Sequence, residues 1–586
     1  MKGSINKILS ILDEDLKKDN TKKEDINITD YLKRYKFKHP IQYCNHRALS
    51  DTVRDDLELN NENNLMNHII KNNNSTNKYG LLIDKWSSLY SLDAKYLKDS
   101  QKLLKSYNLF DNKMDDFVEK YIYFKNQKNF LSNFQYIQFK KFQKLNTITG
   151  FLQLLAIYNI CSPVFSLLTP ILGLIIPYFA LYMKGIKMNF SQYWELMKKI
   201  ILNQSFIKGI MNFTQNSMQS NLYLLTSMFF YGLSVYNNII SCIQFYNNIE
   251  YIINFLDEYD NFLKNGDLLI DNIYKYTKKR KSFNKFNKTM IYHKELIQKM
   301  QHKLCLISNC EDNIIKYGKV GYLLKCNFEL FNNSEYDKLI GYLIHLNNYN
   351  FDLHNISFLI KNNSLNMCNY TKKDKKPVIT GNYYLPYLNK EKIVNDVGLD
   401  KNVFITGPNA SGKTTLIKSL LINLFLSQSI GYGCYTNCTT QIYDYYHSYL
   451  NIPDTSNRDS LFQAEARRCK DIIMFIDQNK TKRHFCIFDE IYSGTNPSDA
   501  VLCATIYLNG LNKYKSTVDY VITTHYINMC EKFKDNKYII NQKMMVHENN
   551  NKLEYTYELV EGISYINGGY QILEQLDYPK SLLNNV

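Results

Sequence analysis

The chain lacks the cysteine patterns that would tie it together in an oxidising compartment. Its 13 cysteines are scattered over 586 residues with no C-x-x-C pair and no zinc-ligand spacing. They therefore read as reduced packing residues rather than a disulfide framework or a metal site. No internal repeat of solenoid period is present. The N-terminus, Met1–Asp15, turns acidic too early for a secretory signal. These absences point to an intracellular protein. Charge is missing over one long stretch: the 39 residues from Leu145 to Met183 contain no Asp, Glu, Lys or Arg.

Within that stretch, Phe151–Tyr182 exceeds the roughly 20 apolar residues that span a bilayer. Pro163, Pro170 and Pro177 recur every seven residues and should divide the run into short helical pieces. A second uncharged run, Gly209–Ile249, follows, diluted by Asn and Gln. Two readings stand side by side. One is a membrane hairpin or anchor, hence a multi-pass membrane-associated protein. The other is the buried core of a large helical region in a nuclear or cytoplasmic protein.

Across the whole chain, 71 Lys and Arg outweigh 55 Asp and Glu, a net +16. That suits an anionic partner, nucleic acid or acidic lipid. The same excess follows from a Lys-, Asn-, Ile- and Tyr-rich composition, so it does not choose between partners. Asn60–Asn64 and Lys71–Asn77 read as loops. The spacing of Ile252, Phe255, Leu256, Tyr259, Phe262 and Leu263 predicts an amphipathic helix with a core-facing stripe. Lys278–Lys288 mixes lysines with Phe283 and Phe286, a pattern open to phosphate contact with base stacking, to anionic lipid, or to a solvated loop between helices.

The strongest signal lies in the last third. Gly407-Pro408-Asn409-Ala410-Ser411-Gly412-Lys413-Thr414 fits G-x-x-x-x-G-K-[ST] at every fixed position. The β-prone run Val403–Thr406 precedes it and an apolar helical run, Leu416–Phe425, follows. Backbone N–H groups of such a loop wrap phosphates, and the helix N-terminus adds its positive dipole end. Lys413 is placed to reach the β- and γ-phosphates of a nucleoside triphosphate, and Thr414 to ligate Mg²⁺. A second apolar run, Phe485–Phe488, ends in Asp489-Glu490, which we read as metal ligand and general base. A third, Tyr520–Ile522, ends in Thr523-Thr524-His525, where His525 could touch the γ-phosphate. Gly494-Thr495-Asn496-Pro497 should form a tight turn.

Taken together, these motifs resemble the MutS family of DNA mismatch-repair ATPases. The resemblance rests on Ile405–Thr415, on Ser427-Gln428-Ser429-Ile430-Gly431 and on Ser460-Leu-Phe-Gln-Ala-Glu465. It extends through Asp489–Thr495, Thr524-His525-Tyr526, Tyr557–Ser564 and the Gly568–Pro579 segment, with Pro377-Val378 and Ile393–Asp396 upstream. It implies an α/β P-loop domain of the ABC type over 371–586. It also implies ATP and Mg²⁺ as cofactors, with Gly407 to Thr415 as the nucleotide loop. The domain would dimerise with itself or a related chain, and Ser460 would reach a nucleotide held by the partner. From the residues alone, Ser460 is simply a good helix N-cap. DNA is the partner the resemblance implies, in mismatch repair, recombination or replication.

The preceding chain is expected to be mainly α-helical: residues 1–144, an apolar segment 145–249 with candidate transmembrane helices, and a lever-like region 250–370. Phe117-Val118-Glu119 matches the family's mismatch wedge by letter only. It lies in an amphipathic pattern, and no mismatch-binding domain is recognisable. The exporter alternative is disfavoured because no L-S-G-G-Q occurs and the apolar region is too short for six spans. An inactive clamp is disfavoured because Lys413, Thr414, Asp489, Glu490 and His525 are all present.

Overall fold

The computed structural model describes residues 28–60, 64–70, 79–186, 189–203, 218–308, 318–371, 377–388, 390–450, 452, 460–549 and 552–566. Met1–Asp15, nearly all of the two Asn-rich runs and the Gly568–Pro579 segment lie outside the described residues. The chain forms two compact units, neither a single stretch of sequence. One comprises 1–112, 268–294 and 341–586; the other comprises 113–267 and 295–340.

The first unit is built on a six-stranded sheet. The Asn402–Thr406 strand lies between Val518–Thr524 and Ile539–Asn549; His484–Asp489 and Tyr445–Tyr449 continue one side, and Lys552–Glu561 closes the other. All pairs are parallel except the antiparallel last hairpin. The central strands are apolar throughout because helices cover both faces of a parallel sheet. Phe404, Cys486, Phe488, Tyr520 and Ile522 pack with Ile476, Leu508 and Phe533 in one core. The parallel register sets Asp489 beside Thr523, Thr523 beside Ile405, and Thr524 beside Thr406. Strand tips carrying the sequence motifs thus converge at one edge, the carboxyl end where α/β sheets bind ligands.

A second, five-stranded sheet joins Asn395–Gly398, Val378–Asn382, Asn437–Thr440, Asn366–Tyr370 and Tyr432–Gly433. In the same unit the mixed stretch Lys278–Lys288 resolves into two layers. Lys278, Lys279, Lys281, Lys285 and Lys288 are exposed, while Phe283 and Phe286 are buried. Phe283 packs on Tyr96, and Phe286 on Phe37 and Tyr349. Base stacking by these rings is therefore ruled out. Phe283, Phe286 and Met290, spaced as one helical face, are core.

The second unit is helical. Ile252, Phe255, Leu256, Tyr259, Phe262 and Leu263 are all buried, as their spacing requires. Phe117 packs on Phe255, Tyr259 and Phe262 from the Asp115–Lys125 helix. It is a core residue there and no wedge.

The apolar run differs from expectation in one respect. Instead of breaking at its prolines, Thr149–Met183 is one continuous helix. A proline within a helix frees the carbonyl four residues earlier, and two of these carbonyls find new donors. Ser162 Oγ donates to Asn159 O at 3.0 Å, opposite Pro163. Tyr231 OH donates to Ser166 O at 3.2 Å, opposite Pro170. The donor Tyr231 comes from the long Met218–Thr277 helix. Cys242 Sγ also donates to Ile160 O at 3.4 Å, so the two helices run antiparallel. Among the described residues, one segment of the candidate transmembrane region 145–249, Thr149–Thr169, is long and apolar enough to cross a membrane by length and composition.

Candidate functional site

The glycine loop follows the Asn402–Thr406 strand and opens the Lys413–Ser429 helix. Gly412 is the helix N-cap with φ 89° and Ala410 has φ 63°. Both lie in the left-handed region that lets successive N–H groups point inward. A Cβ on Gly407 would come within 2.8 Å of Ser411 Oγ, so only glycine leaves that space open. Ser411 Oγ is itself buried with no hydrogen-bond partner. A cradle of inward N–H groups with an unused buried hydroxyl is chemistry that fits a polyphosphate.

Lys413 is buried and its Nζ lies 3.0 Å from Gly407 O, 3.1 Å from Pro408 O and 3.3 Å from His525 Nε2. Burial pulls its pKa below the ordinary lysine value, and nearby Glu490 and Asp489 only partly oppose this. Glu490 Oε1 sits 2.8 Å from His525 Nε2 and 3.5 Å from Lys413 Nζ. The hydrogen bond from His525 is the largest cause holding the Glu490 carboxyl below the usual range, against the opposing effect of burial. Glu490 also carries φ 50°, with its N–H bonded to Thr523 O at 3.1 Å. A non-glycine residue in that conformation costs of order 1 kcal/mol, and such strain clusters where a side chain must be aimed.

Thr414 Oγ1 donates to Asp489 Oδ2 at 2.7 Å, and Thr523 Oγ1 donates to Asp489 Oδ1. The two candidate Mg²⁺ ligands, Thr414 and Asp489, are therefore adjacent. This donor set, one hydroxyl and one carboxylate, fits a cation that takes its other ligands from water and phosphate. Thr523 was not singled out by the sequence; the 489-to-523 register reveals it.

A cavity of about 490 Å³ adjoins the loop. Asn409, Ala410, Ser411, Gly412, Lys413, Thr414, Thr415 and Glu490 line it, with Tyr384, Tyr387, Ile393, Met544 and Tyr557 on other sides. These three tyrosines were not expected. Tyr557 has φ 60°, and its carbonyl accepts from Asn395 Nδ2 at 3.1 Å while Asn395 Oδ1 accepts from Leu559 N at 2.7 Å. The cavity is thus lined both by the glycine-loop residues and by aromatic rings, a chemistry that fits a nucleotide.

Ser460 caps the Leu461–Gln478 helix in a reciprocal box with Gln463, at 3.3 and 3.0 Å. It does not line the cavity. Five residues on, Glu465 is buried and accepts from Ser493 N, Ser493 Oγ and Gly494 N at 3.1, 2.9 and 3.2 Å. It therefore fixes the loop that follows Glu490. The Gly494–Pro497 turn ends in Asn496, which caps the Pro497–Asn512 helix by accepting from Asp499 N at 3.0 Å. Gln428 is buried and bonded to Tyr443, Tyr446 and Ser91. Ser564 N donates to Thr406 Oγ1 at 2.8 Å, tying the end of the last hairpin to the glycine-loop strand.

Sheet, loop and strand-tip acids together define a P-loop ATPase domain. Residues 403–586 match the MutS domain V family model, and this part of the chain belongs to the MutS family. It is 27% identical over 213 residues to the Endonuclease MutS2 of Staphylococcus haemolyticus, covering 36% of this chain and 26% of that protein. It is 26% identical over 216 residues to the Endonuclease MutS2 of Staphylococcus aureus, covering 36% and 29%. Over 219 residues it is 26% identical to the DNA mismatch repair protein MutS of Prochlorococcus marinus, covering 36% and 23%. The chain spans about a quarter of the length of these relatives.

Proposed function

We propose that the chain binds and hydrolyses ATP with Mg²⁺ and uses the cycle to join two ATPase domains while acting on DNA. The observation that carries this is the convergence of Lys413, Thr414, Asp489, Glu490 and His525 at neighbouring strand tips beside the cavity. In that arrangement the loop N–H groups and Lys413 hold the phosphates. Thr414 and Asp489 would hold the cation, which supplies charge neutralisation at the phosphates. Glu490, already ionised and aimed by its backbone, accepts the proton of the attacking water. His525 keeps Glu490 charged and in place. Tyr384, Tyr387 and Tyr557 offer faces for a nucleobase.

Ser460, outside its own cavity at the tip of a helix dipole, suits an anion held by a partner chain. DNA is supported by the printed function of the mismatch-repair relative and by the exposed lysines of Lys278–Lys288. Mixing Ser460→Arg chains with Lys413→Ala chains tests the whole scheme, since each spoils a different half of a composite site. Recovery of up to about half the normal hydrolysis is expected by symmetry. No recovery in demonstrated mixed dimers would place the complete site within one chain.

A second reading, favoured by the exposed apolar helix, is a membrane-attached MutS-like ATPase with a role other than mismatch repair.

A further inference from the structure

Among its described side chains, Thr149–Met183 is buried only at its foot. Leu152 and Ala156 are enclosed, and Gly321 N donates to Gln153 Oε1 at 2.8 Å. A Cβ on Gly321 would come within 2.5 Å of Thr149 O, so the contact there is close. Beyond Ala156 the apolar side chains turn outward: Ile157, Ile160, Val164, Phe165, Leu167, Ile176 and Phe179 are all exposed. The antiparallel partner behaves alike, burying one face from Phe245 onward (Phe245, Ile249, Ile252 and Phe255) but exposing Leu222, Leu225, Phe229, Phe230 and Tyr236 before it. Across Thr149–Thr169 the mean hydropathy is 1.7 and only 11% of the most apolar window is buried. A soluble core helix would be enclosed over most of such a window.

We propose that this helical pair enters a lipid bilayer as a hairpin, leaving and returning on one side; the inference rests on the membrane-attached reading. Four observations favour lipid over other coverings. From Ile157 to Met183 the helix has 27 residues, about 40 Å of rise, and the antiparallel Met218–Gln244 stretch is as long, which matches a hydrocarbon core together with its headgroup layers. Carbonyls freed by Pro163 and Pro170 are bonded within the hairpin, by Ser162 and Tyr231, which lipid demands and water does not. The surface carries no charge, so it offers nothing to DNA phosphates.

Finally, the two ends of the pair carry interfacial residues. Phe139, Lys140, Lys141, Phe142 and Lys144 are exposed just before the foot, with Tyr246 on the returning helix, the aromatic and basic mixture that settles among anionic headgroups. At the far end Tyr178 meets Tyr193 at 4.9 Å, so the Phe190–Asn203 helix, with exposed Trp194 and Lys198, starts beside the last turns.

The full chain would be made by cell-free translation with phosphatidylcholine vesicles, with or without phosphatidylserine, and floated after a carbonate wash. In a Trp194→Phe background, Phe165→Trp and Phe179→Trp would report depth through quenching by chain-brominated lipid. Carbonate-resistant flotation, enhanced by phosphatidylserine, with both probes quenched is the expected result. Leu167→Arg with Phe229→Arg should lower flotation by at least about a hundredfold, roughly what one such arginine costs alone, while ATP hydrolysis in detergent is unchanged. Flotation with unquenched probes would overturn the hairpin and leave membrane attachment standing. So would undiminished flotation of the double variant. A wild type that stays soluble as a detergent-free dimer, made monomeric by the double variant, would overturn both and make this face a contact between two copies.

Discussion

Polar atoms are managed in opposite ways at the strand tips around Lys413 and along the helix through Pro163 and Pro170. At the tips the molecule tolerates strain and an unused hydroxyl: Glu490 at φ 50°, Ala410 at φ 63°, and Ser411 Oγ without a partner. Along the helix, backbone oxygens released by proline are recaptured at once by Ser162 and Tyr231. The first pattern suits a site that completes itself with a ligand rich in oxygens. The second suits a surface whose surroundings supply no hydrogen bonds. Each can be broken separately.

The largest effect belongs to Glu490→Gln, which keeps the shape and removes the base. Turnover should fall by about 10²–10⁴-fold with nucleotide binding retained, as read by single-turnover hydrolysis and a bound-ATP assay. Lys413→Ala should instead weaken nucleotide binding. Wild-type turnover in Glu490→Gln would dissolve the assignment of the base. The pH profile sharpens it. Because His525 holds the Glu490 pKa below its ordinary value, the carboxylate stays ionised further into acid, and hydrolysis should decline only as pH falls through that lowered value. His525→Ala removes the main cause, so the acid limb should move to higher pH.

Next in size is Leu167→Arg. Leu167 is 56% exposed, so in water an arginine there should leave the melting temperature nearly unchanged. On entering a bilayer it should cost about 2.5–3.5 kcal/mol. Equal, small effects in both settings would erase the contrast between the two regions.

The sequence made the strand tips legible because their chemistry is local: glycine spacing, adjacent acids and an apolar run before each. Long-range register hid the rest. Thr523 meets Asp489 only through strand pairing, and Tyr557 reaches the cavity from the last hairpin. The prolines misled for the same reason, since the donor opposite Pro170 lies 65 residues from the carbonyl it bonds. Phe283 and Phe286 were ambiguous because a string of lysines and phenylalanines looks alike on a surface or at a core edge.

Glu465→Gln comes third and probes the tips indirectly. It replaces an oxygen with an NH₂ group against three donors at Ser493 and Gly494. The loss should be about 1–3 kcal/mol of stability, read by thermal melting, with reduced turnover because the loop behind Glu490 loosens. A variant as stable as the parent would show that the loop holds itself.

The smallest effect, Tyr231→Phe, is the most direct probe of the helix. It deletes one hydroxyl and leaves the ring, so the Ser166 carbonyl opposite Pro170 loses its donor. In water a solvent molecule can take over, and melting in detergent-free buffer should hardly change. In a bilayer no water replaces it, and the hydrogen bond should be worth about 0.6 kcal/mol, at most about 1.7. Thermal denaturation in vesicles should therefore separate the variant from the parent when denaturation in buffer does not. If the loss is equal in both media, the carbonyl lies where water reaches it, and internal capping stops being an argument for lipid.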